Sequence, residues 1–263
     1  MRKNVVKHKI KAGTPSVGTW LATGSPLAAE MMAHQGFDWL TIDMEHNAID
    51  ISQAQSIFHA ITTTPTIPFA RVPWNDPQII KRVLDVGAYG IVIPTVESVD
   101  QAERAIDACR YPPHGHRGMG TIRGRLYGGE DYATHANEEI CVILMLETIT
   151  AVHDADAILA VPGIDAVFIG PNDLAASMGL PLGLDNQHPD HLAAVAEIRS
   201  ACDRHNIPPG IHCGSAVAVN QRIEEGFKWI ALSSDAGLMT SAAKAAVSAL
   251  HWEPRRAGEV IHE

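Results

Sequence analysis

The sequence predicts an α/β protein built as a single (β/α)8 TIM barrel. Eight short apolar runs, rich in β-branched or aromatic residues, alternate with longer segments of helical composition. No change in composition divides the 263 residues, and a barrel of this kind commonly has about 250. Strands separated by helices pair in parallel through right-handed crossovers, so eight such units close into a barrel. We therefore expect one domain over residues 1–263.

The eight predicted strands follow one another with room for a helix in between. Each is short and apolar, which is typical of a strand covered on both faces. They cover residues 16–20, 37–42, 67–70, 89–93, 140–146, 166–169, 209–212 and 229–232.

Helix signals occupy the segments between these strands. Ser25 and Asp76 each precede a proline, the pattern of an N-cap followed by the first helical residue. Gly36 and Gly87 fit the left-handed position that ends a helix. An alanine-rich helix is expected over residues 235–250. Further helix starts are expected at Asp50, Ser98, Thr150 and Asp235.

An open, doubly wound sheet is the alternative fold. It normally has a glycine-rich nucleotide loop directly after the first strand. The residues after the first predicted strand, LATGSP, do not match that fingerprint, and Gly118 and Gly120 follow no strand. We therefore favour the barrel and expect no nucleotide cofactor.

Composition and charge exclude several classes of partner. Twenty Lys and Arg against thirty Asp and Glu give a net charge of −10, which argues against nucleic acid and anionic membrane surfaces. No run approaches the ~20 apolar residues of a membrane span, and the amino terminus lacks the apolar stretch of a secretory signal. The four cysteines are widely separated, as free thiols in a reducing compartment can be. We expect a soluble cytoplasmic protein.

The segment 111–129 is too long for an ordinary connection. It contains six Gly, two Pro and three Arg, and long loops in compact domains are usually functional or disordered. Its arginines, Arg117, Arg123 and Arg125, suit recognition of a distal substrate carboxylate or a subunit contact. Solvated charges on a mobile loop are the alternative. We interpret the segment as an active-site or interface loop.

Polar residues concentrate at the carboxyl ends of the predicted strands, which form the active-site face of such a barrel. Few polar residues mark the opposite ends. The residues on the active-site face are Asp43, Glu45, His46, Arg71, Glu147, Asn172, Asp173, His212, Ser233, Ser234 and Asp235.

Glu147 and Asp173 follow successive strands and can converge on one hard cation. Mg²⁺ and Mn²⁺ prefer oxygen ligands and keep positions open for substrate oxygens. No histidine stands beside either acid at a spacing typical of zinc sites. The alternative is that both acids only cap helices, since NDLAAS has the composition of a helix start.

His46 and Arg71 are candidate catalytic residues. The ordinary pKa of histidine suits proton transfer at neutral pH. Arg71 ends an apolar strand, where it either stabilises an oxyanion or forms a buried ion pair with Asp43 or Asp85. No lysine lies at a carboxyl end, so a Schiff-base mechanism has no candidate nucleophile and carbonyl activation falls to a metal.

Five sequence blocks resemble the HpcH/HpaI family of metal-dependent pyruvate aldolases, over residues 14–250. The resemblance implies a barrel of the phosphoenolpyruvate/pyruvate-binding type. It implies reversible cleavage of a 4-hydroxy-2-oxo acid into pyruvate and an aldehyde through a metal-bound pyruvate enolate, in aromatic or sugar-acid catabolism. It also implies a homohexamer whose carboxyl-terminal helix packs on a neighbour. The blocks are FDWLTIDMEH, RVPWNDPQIIKRVLDVGA, RYPPHGHRGMG, MLETITAV and GIDAVFIGPNDLAASMG.

The resemblance also implies roles for single residues. Glu147 and Asp173 would ligate a divalent metal ion, Mg²⁺ or Mn²⁺, with Co²⁺ as an alternative. His46 would be the acid/base, with Asp85 raising its basicity through a hydrogen bond. Arg71 would stabilise the enolate.

Three further residues are assigned to substrate binding. Asn172 lies where the family binds the substrate carboxylate, at a helix start that suits an anion. Met145 departs from the family pattern, which has Gln two residues before the metal-binding Glu, and a thioether cannot donate the same hydrogen bond. His212 has no fixed family role, and at a strand end it is expected to shape the aldehyde side of the pocket.

Two other functions remain as alternatives. A lyase acting on malyl- or citramalyl-CoA thioesters shares a related barrel, but a CoA pocket should bring a basic groove, and only residues 117–125 provide one. A non-catalytic sugar-acid-binding barrel is suggested by Met145.

Overall fold

The computed structural model describes residues 1–251 and consists of eight parallel strands surrounded by helices. The strand order is β6-β5-β4-β3-β2-β1-β8-β7, and a bridge between Ile169 and Ile211 joins the two outer strands. The predicted (β/α)8 barrel is therefore confirmed. The strands are β1 (Ser16–Leu21), β2 (Trp39–Asp43), β3 (Ile67–Arg71), β4 (Gly90–Ile93), β5 (Cys141–Met145), β6 (Ala166–Phe168), β7 (Gly210–Cys213) and β8 (Trp229–Ser234).

Helices connect consecutive strands, and one more precedes β1. Three of the connections contain extra short helices: those between β4 and β5, between β5 and β6, and between β6 and β7. In the described residues the helices are α1 (Val5–Lys11), α2 (Pro26–Ala33), α3 (Ile51–Ile61), α4 (Pro77–Asp85), α5 (Val99–Cys109), α6 (Arg123–Gly128), α7 (Tyr132–Glu139), α8 (Ile149–His153), α9 (Ala155–Leu159), α10 (Pro171–Ser177), α11 (Pro189–His205), α12 (Ala216–Glu224) and α13 (Asp235–Ser248).

Most of the predicted caps begin their helices as expected, and two differ. Ser25, Asp50, Asp76 and Ser98 each accept a backbone hydrogen bond from the first turn of the following helix. Thr148, rather than Thr150, caps α8, and Ser234, rather than Asp235, caps α13. The Asp235 carboxylate instead accepts hydrogen bonds from the backbone N–H of Ala22 and the hydroxyl of Thr23, so it ties β8 to the loop after β1.

Aromatic rings fill the amino-terminal end of the barrel. Trp39 and Trp229 begin β2 and β8 and stack with their ring centroids 3.8 Å apart, and Phe69 packs against both. Two glycines make room for these rings. A Cβ at Gly18 would overlap the Trp39 ring, and a Cβ at Gly90 would overlap the Phe69 ring. The barrel interior at this end is therefore filled by packed aromatic rings.

The segment 111–129 packs at this amino-terminal end. Arg117 is buried, donates to Asp85 Oδ1 at 2.8 Å, and lies over the Tyr111 ring. Thr121 donates to the Asp85 backbone carbonyl, and Arg123 donates to the Thr62 hydroxyl at 2.9 Å. Asp85 and Thr62 lie at the carboxyl ends of α4 and α3, which in this fold face the amino-terminal ends of the strands.

The expected active-site role of this segment is thus not met within one chain. Arg117 and Arg123 pack and form hydrogen bonds within the chain, so they are not freely solvated charges. Arg125 is exposed and lies beside Leu126 and Ile122, whose side chains are 79% and 77% exposed. The interface alternative stays a prediction.

A buried ion cluster ties helix α1 to the same end of the barrel. Asp165 accepts from Lys7 at 3.0 Å, from Lys11 at 3.1 Å and from Arg110 at 2.9 Å. The pKa of Asp165 is lowered, because these cations outweigh the burial that would raise it. The cluster is structural and lies at the opposite end of the barrel from the predicted site.

Three other sequence expectations concern the chain as a whole. The four cysteines are buried and free. No helix among residues 1–251 has the length and apolar character needed to cross a membrane. Helix α13 forms as predicted, but its side chains from residue 239 onward are exposed, including Met239 and Val247. Its apolar surface is therefore uncovered in the single chain.

Candidate active site

A cavity of about 270 Å³ opens at the carboxyl ends of the strands. Its walls come from the ends of β1, β2, β3, β5, β6, β7 and β8 and from the start of α10. Six predicted site residues line it: His46, Arg71, Met145, Asn172, Asp173 and His212. The parallel strand ends therefore bring together residues that are up to 166 positions apart in the sequence.

Asp43, the last residue of β2, organises the loop that holds His46. Its Oδ1 atom accepts from the backbone N–H of Glu45 at 3.2 Å and from Arg71 Nε at 2.9 Å. Its Oδ2 atom accepts from the Asn47 side chain at 2.7 Å. One buried carboxylate thus fixes both the loop and the arginine of the next strand.

Arg71 is held by two carboxylates and an aromatic ring. Its Nη2 lies 2.9 Å from Asp43 Oδ1, its Nη1 lies 3.1 Å from Glu45 Oε2, and its guanidinium carbon is 4.7 Å from the centre of the Trp20 ring. Burial alone would lower the pKa of Arg71. The hydrogen bond and the charge of Asp43 outweigh that effect and raise the pKa above its ordinary value, so the group stays charged. The predicted ion pair with Asp43 is confirmed, and the alternative pair with Asp85 is wrong.

Glu147 lies just beyond β5 and is 4% exposed. Its Oε1 atom accepts from the backbone N–H of Thr95 at 2.8 Å and from the Thr95 hydroxyl at 3.2 Å. Thr95 has a φ of 51°, a left-handed conformation that costs a threonine about 1 kcal/mol or more. This strained residue turns its N–H toward the carboxylate and holds it in place.

The pKa of Glu147 is raised to about 7. Burial is the main cause, the Thr95 hydrogen bond opposes it, and the nearby carboxylates of Asp173 and Glu45 raise it further. The three acids therefore share one region of the site.

Gly170 and Asp173 complete this region from β6 and α10. A Cβ at position 170 would overlap Glu147 Oε2, so only glycine lets the carboxylate reach this wall. Gly170 is also the N-cap of α10 and provides no capping side chain. Asp173 is exposed and forms no side-chain hydrogen bond or ion pair within residues 1–251. The alternative that Asp173 caps the helix is wrong.

The charges of the site favour a cation. Asp43, Glu45, Glu147 and Asp173 are four acids, and Arg71 is the one Lys or Arg among the described residues that line the cavity. Burial, opposed by Arg71, raises the pKa of Glu45 as well. No group of three or more His, Cys, Asp or Glu in residues 1–251 is arranged to hold a metal ion. Glu147 and Asp173 could hold one together with water and substrate oxygens, as Mg²⁺ sites commonly do.

His46 and Asp85 lie at opposite ends of the barrel. The His46 side chain is 60% exposed, and its Nε2 is 3.7 Å from Glu45 Oε2. Asp85 ends α4 and is bound by Arg117. The expected hydrogen bond between Asp85 and His46 is therefore not formed within one chain, because the length of the strands separates the amino-terminal end of the barrel from the carboxyl-terminal end. Glu45 is the carboxylate beside His46 instead.

His212 and Met145 form part of the cavity wall. His212 Nε2 lies 3.0 Å from the Ser233 backbone oxygen, and burial lowers the pKa of His212 to about 4, so its ring is neutral. Met145 ends β5 and is 1% exposed. Its methyl group lies beside Gly170. An apolar thioether therefore occupies this part of the wall.

Some residues that shape the site were not assigned roles from the sequence. The sequence suggested a pair between Arg71 and Asp43, but it did not indicate that Glu45 also contacts Arg71. Trp20 packs against Arg71. Its position near the end of β1 was the only feature of the sequence that pointed to the site. Thr95 gave no signal, because its role depends on a left-handed backbone.

The chain is similar to several known proteins over nearly its whole length. The family model of the HpcH/HpaI aldolase/citrate lyase family matches residues 16–242. A hydroxypyruvate/pyruvate aldolase from Paraburkholderia phytofirmans is 40% identical over 252 residues, covering 93% of this chain and 96% of the relative. A 4-hydroxy-2-oxo-heptane-1,7-dioate aldolase from Salmonella paratyphi B is 38% identical over 263 residues, covering 97% and 98%.

A solved structure has the same fold. The crystal structure of an HpcH/HpaI aldolase/citrate lyase family protein from Burkholderia cenocepacia superimposes with a TM-score of 0.88 at 37% identity, covering 94% of this chain and 98% of that one. The family match spans nearly the whole barrel, and the relatives are matched over nearly their full lengths. The chain therefore belongs to the HpcH/HpaI aldolase/citrate lyase family and is a carbon–carbon lyase.

Proposed function

We propose that the protein is a divalent-metal-dependent aldolase that reversibly cleaves a 4-hydroxy-2-oxo acid into pyruvate and an aldehyde. The main support is the pair of acids, Glu147 and Asp173, beside a fixed, charged Arg71 at one cavity. Two similar proteins have names that specify 2-oxo acid aldolases. An acidic chain can hold an anionic substrate here, because a cation and Arg71 make the cavity locally positive.

Glu147 and Asp173 would hold the metal ion, Mg²⁺ or Mn²⁺, with Co²⁺ as an alternative. Both provide carboxylate oxygens, the ligands that hard cations prefer. Burial and the neighbouring acids raise the pKa of Glu147, and the Thr95 hydrogen bond and the charge of Arg71 offset them only in part, so a bound cation would stabilise the ionised form. When bound, the ion would supply Lewis-acid polarisation of the 2-oxo group.

The chain's own residues would guide the remaining chemistry. In cleavage, His46 removes the proton of the 4-hydroxyl group while that oxygen becomes the aldehyde carbonyl. The C3–C4 bond breaks, and its electron pair passes into the enolate of the pyruvate fragment. Arg71 faces the enolate oxygen through the N–H groups that Asp43 and Glu45 leave free. Protonation of C3 then yields pyruvate.

The start of α10 would position the substrate carboxylate. Asn172 and Asp173 lie in its first turn, and Gly170 leaves the first-turn N–H groups without a capping side chain. These N–H groups suit an anion at the cavity edge. Met145 contributes an apolar wall and no hydrogen bond there.

Chelation tests this proposal. We expect purified protein treated with EDTA to lose pyruvate release from free 4-hydroxy-2-oxo acids, and added Mg²⁺ or Mn²⁺ to restore it. Pyruvate is measured by a coupled dehydrogenase assay, and malyl-CoA and citramalyl-CoA are assayed in parallel. Full activity after exhaustive chelation contradicts the metal dependence. Cleavage of the CoA esters alone identifies the thioester lyase, and no cleavage with any metal favours a binding barrel.

Replacing His46 with glutamine should lower kcat about 10²- to 10⁴-fold, because the 4-hydroxyl group loses its general base. Steady-state cleavage kinetics measure the effect, with KM changing much less than kcat. The matched control is His59→Gln, which alters an exposed histidine on α3 outside the cavity. A kcat for His46→Gln equal to that of the control contradicts the role.

A homo-oligomer, specifically a homohexamer, is also part of the proposal. Helix α13 exposes Met239 and Val247 in the single chain, and Leu250 just after it is exposed too. An uncovered apolar helix face is typical of a subunit contact. We place the protein in the cytoplasm, because its four buried cysteines are free.

A further inference from the structure

We propose that His212 is a specificity-determining residue that accepts a hydrogen bond from a hydroxyl group of the substrate. The inference rests on the proposed aldolase function and narrows its substrate class. It concerns substrates that have a neutral hydroxyl group near the reacting carbons. Three observations support it: the tautomer of the ring, the free position of its second nitrogen, and the chemistry of the surrounding wall.

The backbone determines which nitrogen of His212 has the proton. Nε2 lies 3.0 Å from the Ser233 carbonyl oxygen. A carbonyl oxygen only accepts hydrogen bonds, so Nε2 must donate. The ring is neutral, because burial lowers its pKa to about 4. In a neutral imidazole with a proton on Nε2, the other nitrogen, Nδ1, is an acceptor.

Nδ1 has no hydrogen-bond partner among the described residues and is not fully buried. His212 lines the cavity at the end of β7. The unpartnered acceptor therefore belongs to a ring that borders the volume that the substrate would occupy.

The orientation of the ring is built into the barrel. The ring centroids of Trp20 and Phe168 lie 5.9 Å and 6.4 Å from that of His212. Ser233 has a φ of 51°, an uncommon conformation for serine, which sets the direction of the carbonyl that holds Nε2. Rotating the ring would break this hydrogen bond inside an aromatic wall, so Nδ1 keeps its direction.

The rest of the wall suits a neutral group better than a second carboxylate. Trp20, Phe168 and Met145 provide apolar surface. Arg71 is the one Lys or Arg in the described lining, and Asp43 and Glu45 already engage it. The proposed chemistry uses the remaining N–H groups of Arg71 for the enolate oxygen, so the described lining offers no second cation to the distal carboxylate of a semialdehyde. A hydroxyl group would find the Nδ1 acceptor.

Two parts of the substrate could provide this hydroxyl group. It can be on the aldehyde, as in glycolaldehyde, or on the 2-oxo acid, as in hydroxypyruvate. Each has a matched analogue with methyl in place of hydroxyl: propanal for the aldehyde and 2-oxobutanoate for the acid. Comparing each pair isolates the hydrogen bond from the size of the substrate.

Two substitutions separate the nitrogens of His212. In His212→Asn, the amide can place an oxygen acceptor near the Nδ1 position but cannot reach the Ser233 carbonyl. In His212→Gln, the amide can donate to the Ser233 carbonyl but leaves no acceptor near Nδ1. A purely structural role for His212 requires the Ser233 bond, so it predicts that Gln is the better replacement.

The experiment measures kcat/KM for condensation with each matched pair. For the aldehyde pair the acid is pyruvate, and for the acid pair the aldehyde is propanal. We expect the wild type to prefer the hydroxyl-bearing member of one pair. His212→Gln should reduce that preference roughly 3- to 10-fold, as expected for loss of one neutral hydrogen bond, and His212→Asn should retain most of it. Circular dichroism and thermal unfolding verify that both variants are folded.

The outcomes are distinct. A change confined to the aldehyde pair assigns the hydroxyl group to the aldehyde, and one confined to the acid pair assigns it to the 2-oxo acid. If the wild type does not prefer the hydroxyl-bearing substrates, the proposal is overturned before any variant is measured. A preference that His212→Gln retains and His212→Asn loses also overturns it. Aldol activity without hydroxyl preference leaves the proposed function standing. No condensation with any substrate and metal overturns both.

Discussion

Replacing Glu147 with glutamine is expected to lower kcat for metal-dependent cleavage about 10³-fold or more. The carboxylate is one of two acids that would hold the metal ion, and such an ion contributes several kcal/mol to transition-state stabilisation. Glutamine keeps the size and the hydrogen bonds from Thr95, but it removes the negative charge. Titration with Mn²⁺ followed by calorimetry should show weaker binding in parallel with the loss of activity.

A matched control distinguishes this effect from unfolding. Glu224→Gln makes the same change at an exposed position on α12 and should leave activity and metal affinity unchanged. Metal affinity for Glu147→Gln equal to that of the wild type contradicts the assignment of Glu147 as a ligand, whatever happens to the activity.

The pKa of Glu147 adds a pH dependence. Its pKa is raised to about 7 in the metal-free chain, with burial as the main cause. The metal binds the ionised form, so affinity should increase about tenfold per pH unit below pH 7 and level off above it.

The folded state also holds the proton of Glu147 more tightly than the unfolded chain does. Metal-free protein should therefore lose stability as pH rises from the ordinary value of 4.5 through 7, and Glu147→Gln should lose less, because only the raised pKa of Glu45 remains. Thermal unfolding in EDTA measures the difference.

Replacing Arg71 with glutamine is expected to lower kcat by roughly two to three orders of magnitude. The guanidinium is held by Asp43 and Glu45 and keeps N–H groups free for the oxygen on which negative charge develops. Because this charge appears mainly in the transition state, kcat should fall more than KM rises. Steady-state cleavage kinetics provide both values.

Arg71→Lys tests whether the fork geometry or the charge alone is needed. Lysine retains the charge but cannot reproduce the paired contacts to Asp43 and Glu45, so it should recover only part of the lost kcat. Arg104→Lys is the control, because Arg104 is an exposed residue of α5 in a surface pair with Asp100. Arg71→Gln also leaves two buried carboxylates without their partner, so thermal unfolding must accompany the kinetics. Wild-type kcat in a folded Arg71→Gln protein contradicts the role in stabilising charge.

The fold and the composition of the cavity could be predicted from local patterns. Alternating apolar runs and helix signals specify parallel strands, and the carboxyl ends of parallel strands in a barrel converge on one face. His46, Arg71, Asp173 and His212 were assigned to that face by this rule, and all four line the cavity. The cap predictions were less accurate at α8 and α13. Thr148 lies two residues before the predicted cap of α8, Ser234 lies one residue before that of α13, and both residue types are good caps.

The sequence by itself thus determined the barrel, its active-site face and the residue types gathered there. Only the tertiary structure decided the partners of the charged side chains. Asp85 lies with Arg117 at the amino-terminal end because α4 runs antiparallel to the strands, which takes its last residue away from His46. The tautomer of His212 depends on a carbonyl turned by the left-handed backbone of Ser233. Strand order follows from periodicity along the chain, whereas hydrogen-bond partners depend on side-chain directions and backbone conformations that periodicity does not specify.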